Sequence, residues 1–129
     1  MKLAICGSLD LIITAEEVSS LVCYFTPTYL RGERVSEIVS GESGSVDLAA
    51  KAYAQSHPGR YSYRGFPADW PTRGKAAGPI RNQQIADYAD LFLIIRKREG
   101  KSNGTDDMIK RALAARKPMS IVYWDSVAG

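Results

Sequence analysis

Cysteine and histidine are scarce in this sequence, and their scarcity narrows the functional classes. Two cysteines and one histidine occur among 129 residues. Cys6 and Cys23 have neither the spacing of metal ligands nor the number needed for a disulfide framework, so we expect no metal site. We expect both thiols to be reduced and buried, because free cysteine is among the most buried residue types. His57 has no nucleophile or ligand set beside it, and we expect it to be structural.

Long hydrophobic runs and strong charge are missing as well. The first apolar stretch, residues 3–6, is too short for the core of a signal peptide or for a membrane span, so we expect a cytoplasmic protein without membrane contact. The net charge of +3 is spread along the chain apart from a basic run at 96–98. This balance excludes a strongly basic nucleic-acid face, and we expect small anions rather than nucleic acid as partners.

The composition that is present suits one folded domain. Hydrophobic residues make up 45% and charged residues 24% of the chain, close to the ordinary globular mix. A chain of 129 residues fits a single core. We therefore predict one domain over residues 1–129.

Five short apolar runs, rich in β-branched or aromatic residues, alternate with stretches of helical period. This alternation is typical of βαβ units and predicts a parallel sheet. The third run is the weakest, and its alternating pattern suits an edge strand. The fold class expected is α/β, a Rossmann-like three-layer sandwich with a doubly wound parallel sheet of about five strands. The runs are residues 3–6, 35–39, 60–64, 91–95 and 120–124.

Four helices are predicted between these strands. Ser45 suits the N-cap of the second, and Pro79 suits the first turn of the third. Pro27 ends or kinks the first helix near its last turn. The predicted helices cover residues 15–29, 46–55, 80–88 and 106–115.

Glycine-rich turns follow the first, second and fourth predicted strands, at 7–8, 41–44 and 100–105. Ligands of doubly wound sheets bind beyond the carboxyl ends of the strands, where these turns lie. The third turn directly precedes a helix, so N–H groups of the first helical turn can point at an anion, and Ser102 and Thr105 add hydroxyl donors. A mobile turn with an ordinary threonine cap is the alternative interpretation.

The stretch 67–82 is longer and more decorated than a simple connection, which is typical of functional or disordered loops. Trp70 argues against disorder. Arg81 and Asn82 are predicted in the first turn of a helix, where an arginine opposes the helix dipole. Such an arginine is accounted for if it meets an anion or a carboxylate, and the alternative is a solvated surface arginine.

Residues 40–123, about two thirds of the chain, contain four ordered motifs. They are a glycine-rich turn with a nearby aspartate at 40–47, Pro-Ala-Asp-Trp at 67–70, a Gly-Lys stretch ending in Arg-Asn at 74–82, and Ser-Asn-Gly-Thr at 102–105. On these motifs the chain resembles the YspA/cpYpsA-related branch of the SLOG superfamily (SMF/DprA/LOG-like). The resemblance implies a Rossmann-like pocket for a nucleotide or nucleotide-derived ligand. It requires no further cofactor, and because LOG relatives commonly dimerise it implies a homodimer or higher homo-oligomer.

The ligand-binding residues expected on this basis lie in the three glycine-rich turns and in the stretch 67–82. They are Gly7, Ser8, Gly41, Ser43, Gly44, Asp47, Asp69, Trp70, Lys75, Gly78, Arg81, Asn82, Ser102, Gly104 and Thr105.

Two functions stay open at this point. LOG relatives hydrolyse the N-glycosidic bond of nucleoside monophosphates with an arginine and a glutamate, and Met108 stands at the glutamate position. Methionine can neither activate water nor stabilise an oxocarbenium-like centre. We expect a binding protein that senses or sequesters a nucleotide derivative. The alternative is an N-glycosidase for nucleoside 5′-monophosphates or NAD-like substrates, with Arg81, Asp47 and Glu42 as candidate catalytic residues. A DprA-like single-strand DNA binder would lack a stacking platform apart from Trp70.

Overall fold

The computed structural model describes residues 1–26, 29–30 and 32–125, in which parallel strands alternate with helices. We number the elements of this α/β unit in chain order. The strands are β1 (Lys2–Gly7), β2 (Glu37–Ser40), β3 (Ser62–Gly65), β4 (Leu91–Lys97) and β5 (Met119–Trp124), and the helices are α1 (Ala15–Phe25), α2 (Gly44–Gln55), α3 (Ala77–Tyr88) and α4 (Asn103–Ala114).

The strands form a parallel sheet in the order β3-β2-β1-β4-β5. The chain builds outward from β1 to β3 and then returns to place β4 on the other side of β1. Leu3 pairs with Ile38 of β2 and with Leu91 of β4. The predicted doubly wound sheet and the edge position of the third strand are both confirmed. The reversal leaves the turns after β1 and β4 next to each other, the usual ligand crevice of such sheets.

Side chains of β1 alternate between two cores because successive strand residues point to opposite faces. Leu3 and Ile5 pack with the buried side chains of α1 and α2. Ala4 and Cys6 pack with those of α3 and α4. Helices therefore cover both faces of the sheet, which explains the continuously apolar run in β4 and confirms the three-layer sandwich.

Helix α1 ends earlier than predicted. It begins with a capping box in which Thr14 and Glu17 exchange hydrogen bonds, and it ends at Phe25 rather than at residue 29. A short antiparallel ladder between Tyr29–Leu30 and Glu33–Arg34 follows. The predicted effect of Pro27 lies outside the described residues.

Two predictions for single side chains were wrong. Ser45 is not the N-cap of α2, because its hydroxyl accepts from the N–H and donates to the carbonyl of Ile13. Ser43 occupies the N-cap position, and its side chain makes no capping hydrogen bond. Cys6 is buried, but Cys23 is exposed, because the buried face of α1 carries Val18, Leu21 and Val22 instead.

The decorated stretch before α3 is compact. It forms a helical turn at Trp70–Arg73 and a 3-10 turn at Gly74–Ala76 that leads directly into α3. Within the part of the chain that the structure describes, no helix is both long and apolar enough to cross a bilayer.

Candidate functional site

A cavity of about 510 Å³ lies beyond the carboxyl ends of β1, β2 and β4. Its walls are the turns that follow these three strands together with α3 and the start of α4. Cavities of this size are typical of small-molecule sites. The three glycine-rich turns predicted from the sequence therefore meet at one place.

Ser8 joins the turns after β1 and β4. Its N–H donates to the carbonyl of Ile95 (3.1 Å), and its Oγ accepts from the N–H of Lys97 (3.2 Å). The same Oγ lies 2.7 Å from Oγ of Ser102, and both side chains are buried. Ser8, predicted to bind the ligand, is not itself on the cavity lining; its hydrogen bonds hold together the two turns that form the cavity floor.

Gly7 allows the close approach that this floor requires. A Cβ at this position would lie 2.5 Å from the carbonyl oxygen of Ile95 and 2.6 Å from a methyl group of Val46. Both obstacles belong to the packed interior, so no side chain fits there.

The first turn of α4 faces the cavity. The helix begins at Asn103, three residues earlier than predicted, so Gly104 and Thr105 belong to its first turn. Its N-cap, Ser102, makes no capping hydrogen bond through its side chain. The first N–H groups of a helix have no partner within the helix and carry the positive end of its dipole, which makes this wall suited to an anion.

Arg96 braces the loop between β4 and α4. Its guanidinium pairs with the carboxylate of Asp106 (2.8 and 3.1 Å) and donates to the carbonyls of Lys97 (2.7 Å) and Gly100 (3.1 Å). These four hydrogen bonds hold the start of α4 against the end of the strand. Arg96, the first residue of the basic run at 96–98, therefore has a structural role.

Arg81 is directed inward. It lies in the second turn of α3, not the first as predicted, because α3 begins at Ala77. Its Nη1 donates to the carbonyl of Gly41 (2.6 Å) and to Oγ of Ser43 (3.3 Å), and its Nε donates to Oδ1 of Asn82 (3.0 Å). A solvated surface arginine is thereby excluded.

Asn82 links α3 to α4. Its amide nitrogen donates to the carbonyl of Gly104 (3.1 Å) and to Oδ2 of Asp107 (3.0 Å). Burial by itself would raise the pKa of Asp107, but hydrogen bonds from Arg111 and Asn82 hold that pKa below its ordinary value. Arg81 and Asn82, which are adjacent in the chain, thus connect the turn after β2 with the first turn of α4.

Asp47 is the most perturbed carboxyl group on the cavity wall. Its side chain is 6% exposed, and its Oδ2 accepts from the N–H of Ser43 (3.1 Å). Burial raises its pKa to about 7, against the lowering influence of the Ser43 N–H, the Arg81 guanidinium and the Gly41 N–H. Among the described residues, Oδ1 of Asp47 is the one buried side-chain oxygen without a hydrogen-bond partner.

Most of the residues predicted from the sequence line this cavity. A few lie behind the wall or outside it. Those on the wall are Gly7, Gly41, Ser43, Asp47, Trp70, Gly78, Arg81, Asn82, Ser102, Gly104 and Thr105.

The remaining predicted residues have other positions. Gly44 packs against Leu9, with φ at +77°. The carboxylate of Glu42 pairs with Lys51 (3.1 Å) and accepts from the hydroxyl of Tyr63 (3.1 Å), away from the cavity lining. Asp69 and Lys75 are exposed and do not line the cavity.

Sequence reasoning missed part of the wall. Lys97 pairs there with Asp10 (2.8 Å). Cys6 forms part of the apolar floor, where burial raises the pKa of its thiol and keeps it protonated. Leu9, Asp10 and Lys101 could have been predicted from the sequence, because they lie in or directly beside the glycine-rich turns. The missed lining residues are Cys6, Leu9, Asp10, Pro79, Ile85, Lys97, Lys101, Asn103, Asp107 and Met108.

Comparisons with known proteins add no further constraint. No family model matches the chain. Searches of curated proteins and of solved structures find no match either. The described residues also bring together no group of three His, Cys, Asp or Glu side chains that could hold a metal ion. The functional assignment therefore depends on the geometry of the cavity.

Proposed function

We propose that this protein binds a nucleotide or a nucleotide-derived small molecule, with its phosphate on the glycine-rich turns and the first turn of α4. The observation that carries the proposal is the convergence of turns from three separate strands and one helix N-terminus on a single cavity. Backbone N–H groups and a helix dipole stabilise phosphate oxygens at such places.

Side chains on the wall support the same ligand class. Arg81 and Lys101 supply positive charge to the cavity, and Lys97 does so within its pair with Asp10. Trp70 is 53% exposed at the rim and lies against Gly78, where its ring offers an aromatic face to a base. A wall suited to phosphate and an aromatic side chain suited to a planar base, both on one cavity, are features expected of a nucleotide pocket.

The resemblance to the SLOG superfamily extends this proposal. The Arg-Asn pair at 81–82 and the Gly-Thr pair at 104–105, which belong to its motifs, both lie on the cavity wall. Membership in that superfamily, assembly as a homo-oligomer and a role as a sensor or sequestering protein are proposed on the same basis.

Calorimetric titration with AMP, ADP-ribose and NAD tests the binding function. We expect one molecule of at least one of these ligands to bind per chain. Arg81→Ala should weaken this binding about 10- to 100-fold, because hydrogen bonds to charged groups are the stronger ones. Arg73→Ala changes an exposed arginine outside the cavity lining and should leave binding unchanged. No binding across the panel at millimolar concentrations would contradict the proposal.

Gly41→Ala should weaken binding of the same ligand about tenfold at little cost in stability. A Cβ at Gly41 would lie 2.5 Å from Nη1 of Arg81 and 3.0 Å from Oδ2 of Asp47, so the guanidinium must move away from the turn. The guanidinium is the end of a flexible side chain, and the unfolding free energy should fall by only about 1 kcal/mol. The measurements are calorimetry and urea denaturation. Gly59→Ala is the control, because a Cβ there meets no atom within 4 Å.

An N-glycosidase is the second candidate, favoured by the buried carboxyl group of Asp47. A carboxyl group with a pKa of about 7 is suited to proton transfer at neutral pH. Glu42 is less well placed, since its contacts to Lys51 and Tyr63 lie outside the cavity lining. Met108, at the position of the glutamate in LOG relatives, argues against this activity. Chromatography for free base released from AMP or NAD decides the matter, and an unchanged substrate peak would exclude hydrolysis.

A further inference from the structure

Oδ1 of Asp47 lacks the partner that a buried carboxyl oxygen requires. The side chain is 6% exposed and lines the cavity, and its other oxygen is held by the N–H of Ser43. Buried polar atoms nearly always have a hydrogen-bond partner, and one left without a partner destabilises the fold. Because the carboxyl group borders the cavity, a ligand can supply the hydrogen bonding that the protein leaves incomplete.

We propose that the carboxyl group of Asp47 binds a hydroxyl group of the ligand, so that the pocket selects phosphorylated compounds with a free sugar hydroxyl over deoxy analogues and over phosphate alone. This inference rests on the proposed nucleotide-binding function and adds to it the chemical group that decides specificity.

Oδ1 of Asp47 is buried, and the charged and titratable groups that the structure describes around the carboxyl group make no hydrogen bond to this oxygen. Cys6 on β1, Glu42 in the turn after β2, Tyr63 on β3 and Arg81 on α3 all influence the carboxyl group or are influenced by it. Three of these groups have other partners. The hydroxyl of Tyr63 bonds to Ser40 and Glu42, and Glu42 also pairs with Lys51. Arg81 donates to the turn at 41–43. Within the described residues none of them bonds to Oδ1.

A hydroxyl group suits this position better than other ligand groups. Burial raises the pKa of Asp47 to about 7, so both its protonated and its ionised forms are present at neutral pH. A hydroxyl can donate to the carboxylate and accept from the carboxylic acid. An ammonium group can pair only with the ionised form, and a phosphate oxygen only with the protonated form. Arg81 nearby also disfavours a cationic ligand group.

The size of the cavity agrees with a ligand that has two separate recognition points. Asp47 lies in the first turn of α2, whereas the proposed phosphate site includes the first turn of α4. Both border the same space of about 510 Å³, which is far larger than a phosphate group requires. A phosphorylated sugar can reach both walls.

Calorimetry with AMP, 2′-deoxy-AMP, 3′-deoxy-AMP, 2′,3′-dideoxy-AMP and pyrophosphate tests the inference. Wild-type protein should bind AMP about 10- to 100-fold more tightly than the dideoxy compound. The two monodeoxy compounds show which hydroxyl is responsible. Asp47→Ala should bind AMP as weakly as the dideoxy compound, with the affinity for pyrophosphate changed less than about threefold.

The outcomes separate the two proposals. If none of the five compounds binds, the nucleotide-binding function itself is wrong. If AMP and its dideoxy analogue bind wild-type protein equally well, only the role of Asp47 is overturned, and this comparison does not depend on whether a variant folds. Discrimination that persists in a folded Asp47→Ala protein overturns that role as well.

Discussion

As the pH rises from 4 to 8, the unfolding free energy of Asp47→Asn is expected to increase by about 3 kcal/mol relative to that of the wild-type protein. Burial raises the pKa of Asp47 from 3.8 to about 7. The folded wild-type protein therefore holds a proton that the unfolded chain releases over this range, so its stability falls as pH rises from about 4 to about 7. Asparagine cannot ionise and does not contribute to this loss.

The gain is measured as the difference in unfolding free energy between variant and wild type, from urea denaturation at each pH. Other titrating groups contribute equally to both proteins and cancel in the difference. Gly59→Ala, which changes no ionisable group and whose Cβ meets no atom within 4 Å, should show no such pH-dependent difference. A difference for Asp47→Asn that stays constant from pH 4 to pH 8 would mean that this carboxyl group is not buried as described.

Gly7→Ala is expected to lower the unfolding free energy by about 3 kcal/mol or to prevent folding altogether. The added methyl group would lie 2.5 Å from the carbonyl of Ile95 and 2.6 Å from the side chain of Val46. One is backbone in a central strand and the other is fully buried, so neither can move without disturbing the sheet or α2.

Thermal and urea denaturation measure this effect, and Gly59→Ala is again the matched control because its Cβ would enter open space. We expect the unfolding free energy of the control to lie within about 0.5 kcal/mol of the wild-type value, as is usual for surface substitutions. Equal stability of the two variants would show that the turn after β1 is looser than its contacts indicate.

The sheet could be predicted from the sequence because its signal is local. The run at 91–95 is apolar at every position, as a strand covered on both faces must be, and it forms the first five residues of β4. Helix starts were less predictable, because they depend on contacts made elsewhere. Ser45 looks like a cap, yet its hydroxyl bonds to Ile13, which is 32 residues away in the chain.

In the candidate site, too, features with a local signal could be predicted and contacts between distant residues could not. The glycine turns were visible because the ends of parallel strands share one edge of a sheet. The contact between Arg81 and Gly41 spans 40 residues and could not be predicted from spacing. Burial of Cys23 was predicted from residue type alone, and its position on the exposed face of α1 overrode that tendency.

A stability cost at Asp47 agrees with a functional role for this residue. A carboxyl group buried without a partner for one oxygen destabilises the free protein, and binding sites commonly retain such costs. Asp47→Asn should accordingly be more stable than wild type at pH 8. The proposed ligand would supply hydrogen bonding that the buried carboxyl group lacks in the free protein.

The most direct test of convergent phosphate binding is a titration of ¹⁵N-labelled protein with AMP, followed by the amide resonances. The turns at 41–44 and 102–105 line the same cavity, so their N–H signals should shift together and fit one dissociation constant. Surface amides near Gly59 should stay in place. Shifts confined to one of the two turns, or no shifts at millimolar AMP, would contradict a common anion site.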